Sequence, residues 1–123
     1  MKKKLVSTIL AATAVGSMLV TSVSAEEAKT YNIGICQLVQ HVALDAATEG
    51  FKDALTDKFG DAVTFDEQNA QGDSNTCSTI INGFVSNGVD LILANATPAL
   101  QAAQAGTAEI PILGTSVTEY GVA

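Results

Sequence analysis

Four strand-like runs alternate strictly with three helix-like runs, and this alternation constrains the fold more than any other feature of the sequence. The strand-like runs cover residues 31–39, 62–67, 90–96 and 110–115. Residues 31–39 and 90–96 are apolar on neighbouring positions, which is typical of strands buried on both faces of a parallel sheet. The order β-α-β-α-β-α-β predicts a doubly wound parallel α/β sheet with right-handed crossovers and helices on both faces. The less apolar run 62–67 is expected near an edge.

The three helices are indicated by apolar spacing and by capping residues. Residues 44–59 and 77–87 each repeat apolar side chains on one helical face. A glycine follows each of these two helices in the position of a C-cap, namely Gly60 and Gly88. A shorter third helix is expected to begin at Thr97, as N-cap, and to end at Gly106.

Residues 1–25 have the three-part form of a secretory signal peptide. Lys2, Lys3 and Lys4 form the positive region, an apolar stretch follows, and small residues stand before Glu26. Polar residues within the apolar stretch make a transmembrane anchor the weaker alternative. The sequence therefore predicts a cleaved segment 1–25 and one α/β domain, residues 26–123, that acts outside the cytoplasm, either periplasmic or secreted.

The charge balance excludes several classes of partner. The chain has six Lys and Arg against thirteen Asp and Glu, a formal net charge of −7. Residues 1–25 hold three of the lysines and none of the acids, so the remaining three lysines and thirteen acids give −10. Such a domain cannot neutralise phosphates, which excludes an ordinary nucleic-acid binder and argues against docking on an anionic membrane.

The candidate site lies at the carboxyl ends of the strands, because doubly wound sheets bind ligands there, at the topological switch point. Amides and hydroxyls in these loops can orient a small ligand by hydrogen bonds. The first turn of the third helix offers backbone N–H groups to an anion, and one aromatic ring is placed to stack on a ligand. The candidate ligand-binding residues are Gln37, His41, Asn69, Asn95, Thr97, Ala99, Leu100, Ser116 and Tyr120.

Four of these residues are expected to line one crevice: Gln37, Asn69, Thr97 and Ser116. The backbone N–H groups of Ala99 and Leu100 are expected to point into it. Purely structural alternatives remain open, because Thr97 could be a plain N-cap, Asn69 could hold a turn, and His41 could be a solvent-facing residue at a helix start.

No catalytic, metal-binding or phosphate-binding pattern accompanies these residues. The chain has one His, which is too few for a zinc ligand cluster. It contains neither a G-x-S-x-G nucleophile motif nor a glycine-rich phosphate loop. The sequence therefore predicts a binding protein that is not an enzyme and needs no cofactor.

Cys36 and Cys77 are the only cysteines. Two cysteines are too few for a disulfide scaffold, but an oxidising compartment permits one bridge. A right-handed crossover places the helix that carries Cys77 over the strand that carries Cys36, so the two are expected to be near each other. The face that Cys36 takes stays open, as does the choice between a disulfide and two buried thiols.

Five segments follow one another along the chain: residues 37–47 with 49–51, 69–73, 90–94, 96–99 and 110–112. Together, in this order, they resemble ABC-transporter substrate-binding proteins of the tryptophan/tyrosine-binding type. The chain departs from the family at Val42, where proline is common, and at residues 117–120, where V-T-D-P is common.

The resemblance implies a periplasmic-binding-protein type I fold, in which two α/β lobes close on a small molecule, often an amino acid. It also implies delivery to an ABC permease with its ATPase, by a protein that is a monomer when full length. We interpret the chain as a fragment, or as the product of a truncated gene, that carries the signal and most of the first lobe. Half a cleft should bind poorly. The rival interpretations are the ligand-sensing lobe of a receptor and a secreted flavodoxin-like enzyme.

Overall fold

The computed structural model describes residues 28–121, so the predicted signal segment lies outside the described residues. Strands and helices alternate as predicted, which confirms the α/β class. A short 3-10 helix, Gly60–Ala62, precedes the second strand. The strands are β1 (Tyr31–Gln37), β2 (Val63–Asn69), β3 (Leu91–Asn95) and β4 (Ile112–Thr115), and the helices are α1 (Val42–Phe59), α2 (Ser74–Asn87) and α3 (Thr97–Gly106).

The four strands form one parallel sheet in the order β2-β1-β3-β4. The two most buried strands, β1 and β3, pair in the middle of the sheet, and β2 lies at an edge as its composition predicts. The chain passes outward from β1 to β2 and then returns across β1 to β3. The topological switch point therefore lies between β1 and β3.

Each face of the sheet has its own hydrophobic core. On one face, the strand residues Ile33, Ile35 and Leu93 pack against Phe51 and Leu55 of α1 and their neighbours. The opposite face packs against α2 and α3. Its buried residues include Cys36, Ile92, Cys77, Ile81, Phe84, Leu100 and Ala103. The sheet is covered on both sides, as a doubly wound fold requires.

On the α2 side, Gly34 lets a helix approach the sheet closely. A Cβ atom built at Gly34 would lie 2.6 Å from Cδ2 of Phe84, whose side chain is almost completely buried. Any side chain larger than hydrogen at this position would overlap the ring. Glycine in the middle of β1 is therefore a packing requirement, and it sets how near α2 lies to the strand.

The capping residues largely match the sequence pattern. Gly60 (φ 55°) and Gly88 (φ 66°) end α1 and α2 with positive φ angles, as predicted. The prediction for Thr97 was wrong, because Ala96 is the N-cap of α3 and Thr97 is its first helical residue. Within residues 28–121, no helix is both long and apolar enough to cross a membrane.

Candidate functional site

The four strands end together in one row of polar residues. In the sheet register, Gln37 at the end of β1 pairs with Asn69 of β2 and with Asn95 of β3, and Asn95 pairs with Thr115 of β4. Because the strands are parallel, all four residues lie at the carboxyl edge of the sheet. The structure thus places polar groups where this fold class binds its ligands.

Backbone hydrogen bonds extend beyond the ends of the strands and join the loops. The N–H of Ala70 donates to the carbonyl of Gln37 (2.9 Å), and the N–H of Gly72 donates to the carbonyl of Leu38 (2.7 Å). On the other side, the N–H of Leu38 donates to Asn95 (3.1 Å). The loop after β1 is thereby held from both neighbouring strands, and the edge is preformed rather than loose.

Strained backbone is concentrated at this same edge. Within the described part of the chain, three non-glycine residues have positive φ angles: Gln71 (54°), Ala96 (100°) and Ser116 (57°). They follow β2, β3 and β4 respectively. Left-handed conformations cost L-residues about 1–2 kcal/mol each, and such strain clusters at ligand-binding and active sites.

A buried network of hydrogen bonds holds the side chains of two candidate residues, Gln37 and Asn95, against α1. Thr48 of α1 donates to Oε1 of Gln37 (2.7 Å) and accepts from Nδ2 of Asn95 (2.9 Å). The Gln37 amide also donates to Asp45 (2.7 Å), and the Asn95 amide donates to the carbonyl of Leu44 (2.8 Å). Thr48, Gln37 and Asn95 are all buried. These amides hold the sheet edge to α1.

One acceptor of this network is left over. The Oδ1 atom of Asn95 is buried and has no hydrogen-bond partner among the described residues. A buried carbonyl oxygen without a donor is costly; because Asn95 is fully buried and lines neither cavity described below, a bound water is the partner that would satisfy it.

A cavity of about 520 Å3 opens beside the ends of β1 and β2. Its volume is in the range that holds small-molecule ligands. A second cavity of about 420 Å3 adjoins it, is lined by Val39, Gln40, Asn69 and Gln71, and shares Gln40 and Asn69 with the first. The first cavity is lined by Gln37, Gln40, Asp45, Glu49, Glu67, Gln68 and Asn69.

The wall of the larger cavity carries a net negative charge. Lys52 lies 2.8 Å from Glu67 and 3.1 Å from Glu49, and these hydrogen bonds, led by that to Glu67, raise the pKa of the lysine. Asp45 adds a third carboxylate to the cavity. Three acids against one base favour a ligand with a cationic group.

Three candidate residues, Thr97, Ser116 and Tyr120, form a separate group beside β4. The N–H of Thr118 donates to the Thr97 hydroxyl (3.2 Å), and the Tyr120 hydroxyl donates to the carbonyl of Gly114 (3.2 Å). Tyr120 is 62% exposed, so most of its ring remains accessible.

Because of this arrangement, the expected single crevice needs correction. Asn69 belongs to one outer strand and Ser116 follows the other, about 14 Å away at the usual strand spacing. The cavities at β1 and β2 contain Gln37 and Asn69 but not Thr97 or Ser116. The four residues share the carboxyl edge, but they form two groups across its width.

The helix start at α3 also differs from expectation. The N–H of Leu100 donates to the carbonyl of Ala96 (3.1 Å), so it is used within the helix and does not point into a crevice. The side chains of Ala99 and Leu100 are buried in the core. Only the N–H groups of Thr97 and Ala99 precede the first helical hydrogen bond.

His41 and Asn69 have local structural contacts at the edge. His41 is the exposed N-cap of α1, and its Nδ1 accepts from the N–H of Ala43 (3.1 Å). The Asn69 side chain accepts from the N–H of Gln71 (2.7 Å). These are the structural roles that the sequence left open. Over residues 28–121, no group of three His, Cys, Asp or Glu side chains could hold a metal ion.

Sequence reasoning missed Thr48 and Asp45. Thr48 lies four residues after Leu44 and seven before Leu55, on the stripe of α1 that faces the sheet, and it is the buried residue of that helix. A polar residue on an apolar stripe was the available signal, because a buried hydroxyl needs partners. Its spacing alone could not identify those partners.

The chain is similar throughout to a group of known binding proteins. The family model for ABC transporter substrate binding proteins matches residues 32–122. A curated relative from Clostridioides difficile (strain R20291), named tyrosine-binding protein, is 44% identical over 95% of this chain. The alignment covers 38% of that relative, so the chain spans well under half its length.

Solved structures show the same fold. A ligand-free, open substrate-binding protein with adhesive properties from Clostridium difficile matches 76% of this chain and 32% of its own, with 44% identity and a TM-score of 0.72. A conserved domain protein from Vibrio cholerae matches 74% and 32%, with 37% identity and a TM-score of 0.71. An ABC domain from Streptococcus pneumonia, in complex with L-Trp, matches 74% and 32%, with 32% identity and a TM-score of 0.70.

Proposed function

The chain belongs to the family of ABC transporter substrate-binding proteins, and we propose that it forms the first lobe of an extracytoplasmic amino-acid-binding protein. In this proposal the ligand lies at the carboxyl edge of the sheet and a second lobe covers it. The complete, monomeric protein then passes the amino acid to a membrane permease that is driven by a separate ATPase. Segment 1–25 directs export and is removed.

The observation that carries the proposal is the polar cavity beside β1 and β2. Its carboxylates suit the ammonium group of an amino acid, and Gln40 can orient the ligand by hydrogen bonds. The names of two relatives, one a tyrosine-binding protein and one solved with L-Trp, support an aromatic amino acid.

The same groups support binding rather than catalysis. Gln37 and Asn95 are held by Thr48, so their amides are fixed hydrogen-bonding groups and not proton-transfer groups. The candidate residues therefore supply shape, hydrogen bonds and charge, which is what reversible capture of a solute requires.

Isothermal titration calorimetry tests this proposal on two polypeptides, the present chain and the chain extended by a second lobe. We expect the two-lobed protein to bind tyrosine or tryptophan tightly, and the single lobe to bind weakly, because half of the ligand surface stays in water. Micromolar binding by the single lobe would contradict the expectation that half a cleft binds poorly. Absence of binding of any amino acid by the two-lobed protein would contradict the assigned ligand class.

A pair of variants tests the position of the site. Gln40 is exposed and lines both cavities, so Gln40→Ala should leave folding intact and weaken binding by about tenfold, the loss of one good hydrogen bond to a charged ligand. The matched control is Asp57→Asn, an exposed substitution near the other end of α1. Equal affinities of these two variants would place the ligand elsewhere.

A further inference from the structure

The two cysteines meet across the interface between a strand and a helix. Cys36 is on the same face of β1 as Gly34, and Cys77 lies in the first turn of α2. Both side chains are fully buried in the core on the α2 side, and both are free thiols in the structure. The face of β1 that sequence reasoning left open is thus the one that points toward α2.

The pKa values of the two thiols reflect their burial and their closeness to each other. Burial raises the pKa of Cys36 to about 12, and the neighbouring thiol of Cys77 contributes to this rise through its charge and a hydrogen bond. Burial also raises the pKa of Cys77. Two groups that are far apart in the sequence therefore share one site in the core, and ligand capture as proposed above makes no use of them.

We propose that Cys36 and Cys77 form a disulfide when the chain folds in an oxidising compartment, and that this bond joins β1 to the start of α2. The oxidant is a small-molecule disulfide such as oxidised glutathione. One cysteine thiolate attacks it, forms a mixed disulfide and releases one thiol. The second cysteine, after losing its proton, displaces the other glutathione thiol. The protein loses two electrons and two protons, and one external disulfide becomes two thiols.

The bond is expected to form before the core closes. In the folded chain neither sulfur is accessible, and the thiolate, which is the attacking species, is disfavoured by burial. During folding both thiols are in water, and the approach of α2 to β1 brings them together. The finished core then protects the bond from reduction.

The position of the bond connects it to the candidate site. Cys77 is four residues after Asp73, the N-cap of α2, and its N–H donates to the Asp73 carbonyl (3.1 Å). In the loop before α2, the N–H of Gly72 donates a hydrogen bond to the carbonyl of Leu38, beside the smaller cavity. A disulfide here would hold that loop against β1 at the carboxyl edge.

Refolding under controlled redox conditions tests this inference. The chain is unfolded and reduced, then refolded either with oxidised and reduced glutathione or with dithiothreitol. Each sample is afterwards unfolded, alkylated with iodoacetamide and weighed by mass spectrometry. With glutathione we expect a chain lighter by two hydrogen atoms that carries neither alkyl groups nor glutathione. Its urea midpoint should be higher than that of the reduced chain, and dithiothreitol should reverse the shift after unfolding.

The Cys36→Ala, Cys77→Ala double variant is the matched control, and its urea midpoint should be the same in both buffers. The inference is overturned if the refolded chain keeps two alkylatable thiols or carries glutathione. It is also overturned if the bonded chain unfolds at lower urea than the reduced chain, because the sulfur geometry would then be strained.

Discussion

The substitution Gly34→Ala tests the packing of α2 on the sheet with a single methyl group. The added Cβ would lie 2.6, 2.7 and 2.9 Å from three ring carbons of Phe84. Ordinary contacts between carbons are about 3.5–4.0 Å, so the ring or the helix must move by nearly 1 Å. The ring is 1% exposed and enclosed by the core, which leaves it little room to move.

We expect Gly34→Ala to destabilise the chain by about 3 kcal/mol, at the upper end of the usual cost of overpacking. For a domain of this size, that free energy lowers the thermal midpoint by roughly 12–24 °C. The measurements are thermal and urea unfolding followed by circular dichroism. An unchanged urea m-value would show that the effect is on the folded state.

Gly83→Ala is the matched control, because it adds the same methyl group in α2 next to Phe84. Nothing lies within 4 Å of a Cβ built at Gly83. Alanine is a better helix former than glycine, so this variant should gain about 0.5–1 kcal/mol. In a Phe84→Leu background, the cost of Gly34→Ala should fall by at least 1 kcal/mol, since the ring that it meets is gone. Equal midpoints for the two alanine variants would refute the close approach.

Three further predictions concern the carboxyl edge and the cap of α2. Thr48→Val keeps the shape of Thr48 but removes the hydroxyl between Gln37 and Asn95, so urea unfolding should show a loss of about 2–4 kcal/mol, whereas Thr48→Ser should lose less than half of that. Gln71→Gly removes the backbone strain of a left-handed residue at an exposed position. It should stabilise the chain by about 0.5–1 kcal/mol and so raise the thermal midpoint; a lower midpoint would contradict the strain at this turn. Hydrogen bonds from Thr76, and to a smaller extent from Asn75, lower the pKa of Asp73. Ionised Asp73 therefore stabilises the fold at pH values above its unfolded pKa of about 3.9, and this stabilisation is lost as the pH falls through the folded pKa. Asp73→Asn, which can still cap the helix, should flatten this acid limb of the stability profile, and an unchanged limb would assign it to other carboxylates.

Much of the fold could be predicted because local chemistry decides it. Gly60 and Gly88 end their helices because only glycine adopts their backbone angles cheaply. The position of β2 at an edge follows from its polar residues. The family could be recognised from short segments in order, because the loops at the carboxyl edge have a distinctive composition.

The details of the site were less predictable because they depend on contacts between distant residues. Residues of β1 and β3 are apolar on both faces, so the pattern could not say that the amides of Gln37 and Asn95 reach Thr48. Their partners are separated in sequence by 11 and 47 residues. The N-cap of α3 was misplaced because Ala96 adopts a φ of 100° that its residue type disfavours. Its N–H donates to the carbonyl of Thr115 on β4, and its carbonyl accepts the first hydrogen bond of α3, from the N–H of Leu100.

The central place of β1 in the sheet has a consequence for the chain as it is made. Among the strands of residues 28–121, β1 leaves the ribosome first, and its partners come much later. Asn32 contacts Thr64 of β2 across 32 residues and Asp90, just before β3, across 58. At about 5–20 residues per second, the second partner follows the first strand by roughly 3–12 s. During that time β1 of the nascent polypeptide has an unpaired side, and a chaperone has an interval in which to bind it before the sheet can close.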